Sequence, residues 1–233
     1  MPLFTTDLLE LNALNHRILR DEPPPREIDA ICFFGQTQEN DRIALEAISK
    51  FQDDFQCPVL VGICDPIKKN GLVVRGSKAW KEDLIEFEVK KEDIVLYPMS
   101  QKFPPSTDAE AWGMIPLIKD NNWRYLLVTV PPLHACRAFV SFVSACNKNK
   151  LDKVNVWSAP SEAPPWDEDV FHSGSMPSAP RVDQISGEFS KMMAYCAKGD
   201  HITAREVLEY LRKRKRPKNK VVKEEPYSVF ATN

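Results

Sequence analysis

Short apolar runs rich in valine and isoleucine alternate along this chain with segments whose apolar residues recur every three or four positions. The runs are Ile28–Phe34, Pro58–Ile63, Asp93–Tyr97, Tyr125–Val130 and Lys153–Trp157. Runs this short and this apolar are typical of strands that are covered on both faces. The pattern therefore predicts five strands of a buried, parallel sheet.

The segments between these runs have the periodicity of amphipathic helices. After the first strand an apolar stripe is formed by Ile43, Ala47, Ile48 and Phe51, and similar stripes recur over 78–88, 107–119 and 133–146. Alternation of strands and helices indicates right-handed βαβ units. We therefore expect a three-layer α/β sandwich, with helices on both faces of the sheet.

The chain is expected to have three parts. Residues 1–26 should form a helix and a linker, residues 27–216 a single α/β domain, and residues 217–233 a basic, partly disordered tail. Within the domain, residues 158–180 are rich in proline and serine and too long for an ordinary connection. We predict that this segment folds over the ligand crevice as a flap, with Trp166 or Phe171 packing on the ligand or on the core beneath; a disordered loop is the alternative.

Composition narrows the class of protein. The hydrophobic fraction of 43% and the charged fraction of 27% are those of a globular protein. Six cysteines without a C-x-x-C pair indicate free thiols in a reducing compartment, and four scattered histidines do not suggest a metal site. With no secretory signal and no apolar stretch approaching ~18 residues, we expect a soluble cytoplasmic protein without a transmembrane segment.

Candidate chemistry concentrates after the fourth strand. Pro131 and Pro132 make a turn, and the helix predicted to open at Leu133 carries His134 and Arg137 on one face. In α/β sheets, ligands bind where the carboxyl end of a strand meets a helix N-terminus. Cations are mildly unfavourable at that end of a helix, so two of them suggest an anionic or polar ligand, or nearby carboxylates.

Other polar residues are predicted to border the same crevice, between the carboxyl ends of the first and fourth strands. The ligand-binding candidates are Gly35, Gln36, Thr37, Arg42, Thr107, Glu110, Thr129, His134 and Arg137. Plainer interpretations remain open: Gly35 could serve a turn through a positive φ, Thr107 could belong to a helix cap, and Arg42 could be solvated. The G-x-G-x-x-G and P-loop motifs are absent, which argues against ordinary dinucleotide and triphosphate cradles.

These residues resemble a known family. The segment Leu126–Phe142 is similar to the V-T-s-x-x-H-x-x-R-a pattern of the YdcF–SanA–ElyC family, with matches at Val128, Thr129, His134, Arg137 and Ala138. Two further segments are similar, one through Thr107 and Ala111 and one through Glu188, Tyr195, Gly199 and Asp200. The resemblance covers about residues 28–199. It implies a Rossmann-like sheet with strand order 3-2-1-4-5, and one member of the family is associated with binding S-adenosylmethionine.

Three functions are compatible with the sequence. The first is binding of S-adenosylmethionine or a nucleotide-like ligand at the carboxyl edge of the sheet. The second is the activity of a phosphoester or other hydrolase, with His134 as general acid/base and Arg137 binding the anion. The third is a non-enzymatic interaction through the basic run Arg212–Lys223, which has eight Lys or Arg residues and no acid and could contact nucleic acid. A solvated helix end is the simpler interpretation of that run.

Overall fold

The predicted strands and helices are present in the structure, a computed structural model that describes residues 5–69, 71–172 and 176–215. The strands of this part of the chain are β1 (Ala30–Phe33), β2 (Val59–Ile63), β3 (Ile67–Lys69), β4 (Leu72–Val74), β5 (Ile94–Pro98), β6 (Tyr125–Thr129), β7 (Asn155–Ser158), β8 (Asp169–His172) and β9 (Met176–Pro180). Its α-helices are α1 (Thr5–Leu19), α2 (Gln38–Phe55), α3 (Gly76–Glu86), α4 (Thr107–Asp120), α5 (Pro132–Lys148), α6 (Ile185–Ala197) and α7 (Ala204–Lys213).

Five strands form a parallel sheet in the order β5-β2-β1-β6-β7. The remaining strands pair as two separate hairpins, β3–β4 and β8–β9. Counting only the strands of the sheet, the order is 3-2-1-4-5, and the predicted three-layer α/β fold is confirmed. The chain leaves β1 toward β2 on one side and later returns to β6 on the other. The carboxyl ends of β1 and β6 therefore border the switch point, where ligands bind in open α/β sheets.

Helices cover both faces of the sheet. One face packs on α2 and α3 through side chains such as Phe33, Leu45 and Trp80. The opposite face packs on α1, α4, α5 and α7, and its largest side chains include Phe139 and Phe142. Successive strand residues contribute to opposite faces, as the period of a strand requires. Because both faces are buried, the strands could be recognised as nearly continuous apolar runs.

The end of α7 closes the outer edge of β7. Tyr210 Oη accepts a hydrogen bond of 2.6 Å from the Val156 N–H, and Arg214 Nη1 donates to the Val156 carbonyl at 2.7 Å. Arg214 also holds Asp21 with both of its terminal nitrogens. Its side chain is only 3% exposed, so this member of the basic run is part of the fold and not a solvated cation. Residues 216–233, and with them the rest of the run and the predicted tail, lie outside the described residues.

The two hairpins meet beyond the carboxyl edge of the sheet. The β3–β4 hairpin follows β2, and the β8–β9 hairpin follows β7, which is separated from β2 by the two strands β1 and β6. A β-carbon on Gly71, whose φ is +87°, would lie 2.4 Å from the ring of Phe171. The predicted flap segment 158–180 thus contains β8 and β9. Its Phe171 packs on the other hairpin, while Trp166 is 37% exposed.

Candidate functional site

Helix α5 starts one residue earlier than predicted, because Pro132 is accommodated in its first turn. Pro131 is the N-cap, and its carbonyl accepts a hydrogen bond of 2.9 Å from the His134 N–H. Pro132 is well suited to the first helical position, since the φ of a proline is already helical and its missing N–H is not needed there. His134 and Arg137 are 4% and 5% exposed. The predicted pair of cation-capable side chains therefore points into the protein.

A carboxylate from α6 lies between the two side chains. Glu188 Oε2 is 3.1 Å from His134 Nδ1 and accepts a hydrogen bond of 2.6 Å from Arg137 Nε. On the other side, Thr107 Oγ1 is 3.3 Å from His134 Nε2 and accepts a hydrogen bond of 2.6 Å from Arg137 Nη1. His134 and Arg137 therefore bridge the N-terminal turn of α4 to α6. All four side chains are almost completely buried.

Glu188 explains why two cation-capable side chains can lie at the N-terminus of α5. Burial would lower the pKa of the Arg137 guanidinium, but the charge of Glu188 and its hydrogen bond outweigh burial and raise it. A buried ion pair of this kind satisfies both partners within the protein. The cations at the start of α5 therefore do not by themselves require an anionic ligand.

Glu110 joins this cluster to the end of β1. Its Oε1 accepts a hydrogen bond of 2.7 Å from the Gly35 N–H, one helical turn beyond Thr107. Burial raises the pKa of Glu110 to about 7, although the Gly35 N–H and the charge of Arg137 act in the opposite direction. A carboxyl with this pKa can be protonated or charged near neutral pH, so it can donate or accept a hydrogen bond.

Gly35 is needed for space. The glycines with positive φ in the described residues are Gly71, Gly76 and Gly199, so the interpretation of Gly35 as a positive-φ turn residue is wrong. A β-carbon at Gly35 would lie 2.4 Å from the Trp80 ring and 3.1 Å from Glu110 Oε1. Gly62 has a similar role on β2, where a β-carbon would lie 3.3 Å from Glu110 Cγ and 3.4 Å from Tyr97 Oη.

Two buried hydroxyl groups near these residues have no hydrogen-bond partner among the described residues. They are Thr129 Oγ1, at the end of β6, and Tyr97 Oη, on β5 beside Gly62. Thr129 is 0% exposed and Tyr97 is 1% exposed. Since a buried hydroxyl without a partner costs about 1–3 kcal/mol, each is a point at which a polar ligand group would be favourable.

The remaining predicted site residues divide into two groups. Thr37 is buried at the start of α2, where its Oγ1 accepts a hydrogen bond of 3.0 Å from Asn40 Nδ2, and Gln36 donates to the carbonyl of Phe34. Both lie at the carboxyl edge. Arg42 is on the exposed side of α2, where it pairs with Glu86 at 2.9 Å and stacks on Phe87. It does not join the cluster.

Sequence reasoning did not place Glu188 or Tyr97 among the candidates. Glu188 lies 51 positions after Arg137, and its only signal was the resemblance in the late segment. Tyr97 belonged to an apolar strand pattern and gave no sign of an unpartnered hydroxyl. Lys191 was also missed; it lies 3.6 Å from Glu188, and burial together with the charge of Arg137 lowers its pKa to about 8.

Other polar features lie away from this cluster. His201 Nε2 contacts Asp108 at 2.8 Å and Ser141 at 3.0 Å through one ring nitrogen, which ties the α6–α7 turn to α4 and α5. A cleft of about 620 Å³ between α1 and α7 is lined partly by Arg17 and Arg212. Both arginines are in the last turns of their helices, where a cation is stabilised by the helix dipole.

Comparison with known proteins returned no match from any protein-family model, curated protein sequence or solved structure. Among the described residues, no three His, Cys, Asp or Glu side chains are grouped so that they could hold a metal ion. No helix in the same part of the chain is long and apolar enough to span a membrane. All six cysteines are free thiols.

Proposed function

We propose that this protein binds a small polar ligand of the nucleoside or S-adenosylmethionine class at the carboxyl ends of β1 and β6. The observation that carries this proposal is the presence of two buried, unpartnered hydroxyls, Thr129 Oγ1 and Tyr97 Oη, together with the protonatable carboxyl of Glu110. These groups can hydrogen-bond to ribose hydroxyls or to the edge of a base. Thr129, at the end of β6, and Glu110, bonded to Gly35 after β1, border the switch point of the sheet, where such ligands bind in other folds of this type, and Tyr97 lies two strands from β1, on β5.

The charges support a nucleoside or adenosyl compound over a polyphosphate. Arg137 is already paired with Glu188, and the carboxyl of Glu110 lies next to the first loop. No glycine-rich loop is present to surround a phosphate with backbone N–H groups. When bound, S-adenosylmethionine would supply an electrophilic methyl group, and Glu110 and Thr129 would hold and orient its polar groups.

A thermal-shift panel tests the proposal. Adenosine, S-adenosylmethionine, adenosine monophosphate and adenosine triphosphate would be compared, and at one hundred times Kd a true ligand stabilises the fold by about 2.7 kcal/mol. Thr129→Val should abolish most of this shift. It should not lower the melting temperature of the free protein, because it removes a hydroxyl without a partner.

Arg42→Ala is the matched control. Arg42 pairs with Glu86 on the exposed side of α2, so this variant should bind with unchanged affinity. A panel without any shift, or a ligand whose affinity depends on Arg42 and not on Thr129, would contradict the proposal.

Hydrolysis is a second candidate, and the order Glu188–His134–Thr107 favours it. A carboxylate on one imidazole nitrogen and a hydroxyl on the other is the arrangement that lets histidine act as a general base.

A further inference from the structure

The hydrogen bonds around Thr107 determine which way its proton points. Arg137 Nη1 can only donate, so at 2.6 Å it occupies a lone pair of Thr107 Oγ1. The nearest remaining acceptor for the hydroxyl proton is His134 Nε2, at 3.3 Å. His134 Nδ1 lies 3.1 Å from Glu188 Oε2, and a carboxylate there favours the neutral tautomer with its proton on Nδ1 and its lone pair on Nε2.

Thr107 also occupies a position that favours negative charge on its oxygen. It is the first residue of α4, after the N-cap Ser106, so the positive end of the helix dipole lies beside it. The guanidinium of Arg137 is in direct contact with Oγ1. A base on one side and two sources of positive potential on the other are the conditions that activate a hydroxyl nucleophile.

We propose that Thr107 is a nucleophile that His134 activates and Glu188 orients, and that the substrate is an ester, either a phosphoester or a carboxylic ester. This inference rests on the second candidate function above and names the residue that attacks. In the first step Thr107 Oγ1 forms a bond to the phosphorus or acyl carbon, and its proton passes to His134 Nε2. The bond to the leaving group breaks, and the leaving oxygen takes that proton.

In the second step water attacks the Thr107 ester. His134 Nε2 removes a proton from the water, the bond to Thr107 Oγ1 breaks, and the proton returns to that oxygen. The acid is released and the protein is unchanged. Arg137 stabilises the charge that develops on Oγ1 in both steps, and no oxidant, metal or other co-reactant is required.

Acetylation by 4-nitrophenyl acetate provides the first test, since a small ester is suited to a hydroxyl on a residue that is 6% exposed. The wild-type protein should release a burst of one 4-nitrophenolate per chain and gain one acetyl group, which peptide mapping should locate on Thr107. Thr107→Ser should retain the burst and Thr107→Val should lose it. His134→Gln should slow it by at least about a hundredfold.

The control hydroxyl is Thr203, which is a helix N-cap that donates its hydroxyl proton to the Glu206 carboxylate at 2.7 Å. It should remain unmodified. Acetylation of Lys191 or Thr203 in place of Thr107, or a burst that survives Thr107→Val, would overturn the proposal.

A second measurement does not depend on any variant folding. The ¹⁵N resonances of His134 in the wild-type protein should show a proton on Nδ1 and a lone pair on Nε2. A proton on Nε2 in the neutral ring would exclude His134 as the base. If a nucleoside stabilises the protein and Thr107 is not acetylated, the proposed ligand binding stands and the proposed nucleophile is wrong. If Thr107 is acetylated and no ligand stabilises the protein, the nucleophile stands and the proposed ligand binding is wrong.

Discussion

At the scale of single residues, the site is defined by how buried polar groups find partners. Arg137 and Glu188 satisfy each other, whereas Thr129 and Tyr97 keep hydroxyls without a partner among the described residues. Glu110 is intermediate, because it accepts one hydrogen bond from Gly35 in an environment that disfavours its charge. Its protonation should therefore be visible in the stability of the whole protein.

Glu110→Gln should change the pH dependence of folding. The folded protein holds the Glu110 proton up to a pKa of about 7, against an ordinary value of 4.5. Between these values the folded state binds more protons than the unfolded chain, so the wild-type free energy of unfolding falls as pH rises. The stabilising contribution is complete below the lower value and is lost above the upper one.

Between about pH 4.5 and about pH 7, the free energy of unfolding of the wild type should fall by on the order of 3 kcal/mol more than that of Glu110→Gln, as measured by urea unfolding. Glu206→Gln is the control of opposite sign. Hydrogen bonds from Thr203 lower the pKa of Glu206, so its contribution is lost as pH falls. Parallel stability curves for the wild type and Glu110→Gln would contradict the assignment.

At the scale of elements, the end of α7 is held to β7 by Tyr210 and by Arg214. Arg214 pairs with Asp21, donates to Val156, and lies over the Trp157 ring at 4.4 Å. The Asp21 side chain is 1% exposed, so removal of Arg214 leaves its buried carboxylate with only the more distant Arg17, at 3.7 Å. A short stretch at the end of one helix thus protects the edge of the sheet, which would otherwise present unpaired backbone groups.

Arg214→Ala should lower the free energy of unfolding by about 3–5 kcal/mol. Lys213→Ala is the neighbouring control; its side chain is 80% exposed, and its effect should stay within about 0.5 kcal/mol. Urea unfolding monitored by circular dichroism distinguishes the two. Equal, small effects would show that Arg214 is solvated, as the basic run suggested from sequence.

At the scale of the whole molecule, the two hairpins pack on each other and form a cover beyond the carboxyl edge of the sheet. Residues after β7 continue along the end of β6, where the Ser161 N–H donates to the Val130 carbonyl at 3.0 Å. Arg181 then contacts Asn40 at the start of α2, which follows β1. The segment therefore starts beside the end of β6 and ends beside the start of α2, and between these two points Phe171 packs on Gly71 of the other hairpin.

Phe171→Ala should loosen this cover without unfolding the sheet. We expect amide hydrogen exchange about tenfold faster, or ~1.4 kcal/mol, in residues 67–74 and 169–172, because the contact that joins the hairpins is lost. Exchange in β1, β2 and β6 should be unchanged. Trp166→Ala is the control, since Trp166 is 37% exposed and should affect neither hairpin. Faster exchange throughout the sheet would show that the hairpins are part of the core.

The order of strands and helices was determined by the sequence itself. Apolar runs of five to seven residues and the helical stripes between them follow from local periodicity, and their alternation indicates right-handed βαβ units with parallel strands. The same reasoning brought Gly35, Thr107, His134 and Arg137 to one edge of the sheet, because the carboxyl ends of parallel strands share that edge. The strand order 3-2-1-4-5 was implied by the family resemblance.

Only the tertiary structure decided which of these polar groups have partners. Glu188 reaches Arg137 across 51 positions, Arg214 reaches Asp21 across 193, and Phe171 covers Gly71. None of these contacts is encoded in a local sequence pattern, since each depends on how separate helices and hairpins pack. Burial has the same origin: Arg42 and Arg137 are the same residue type in comparable helices, yet packing leaves one exposed and encloses the other.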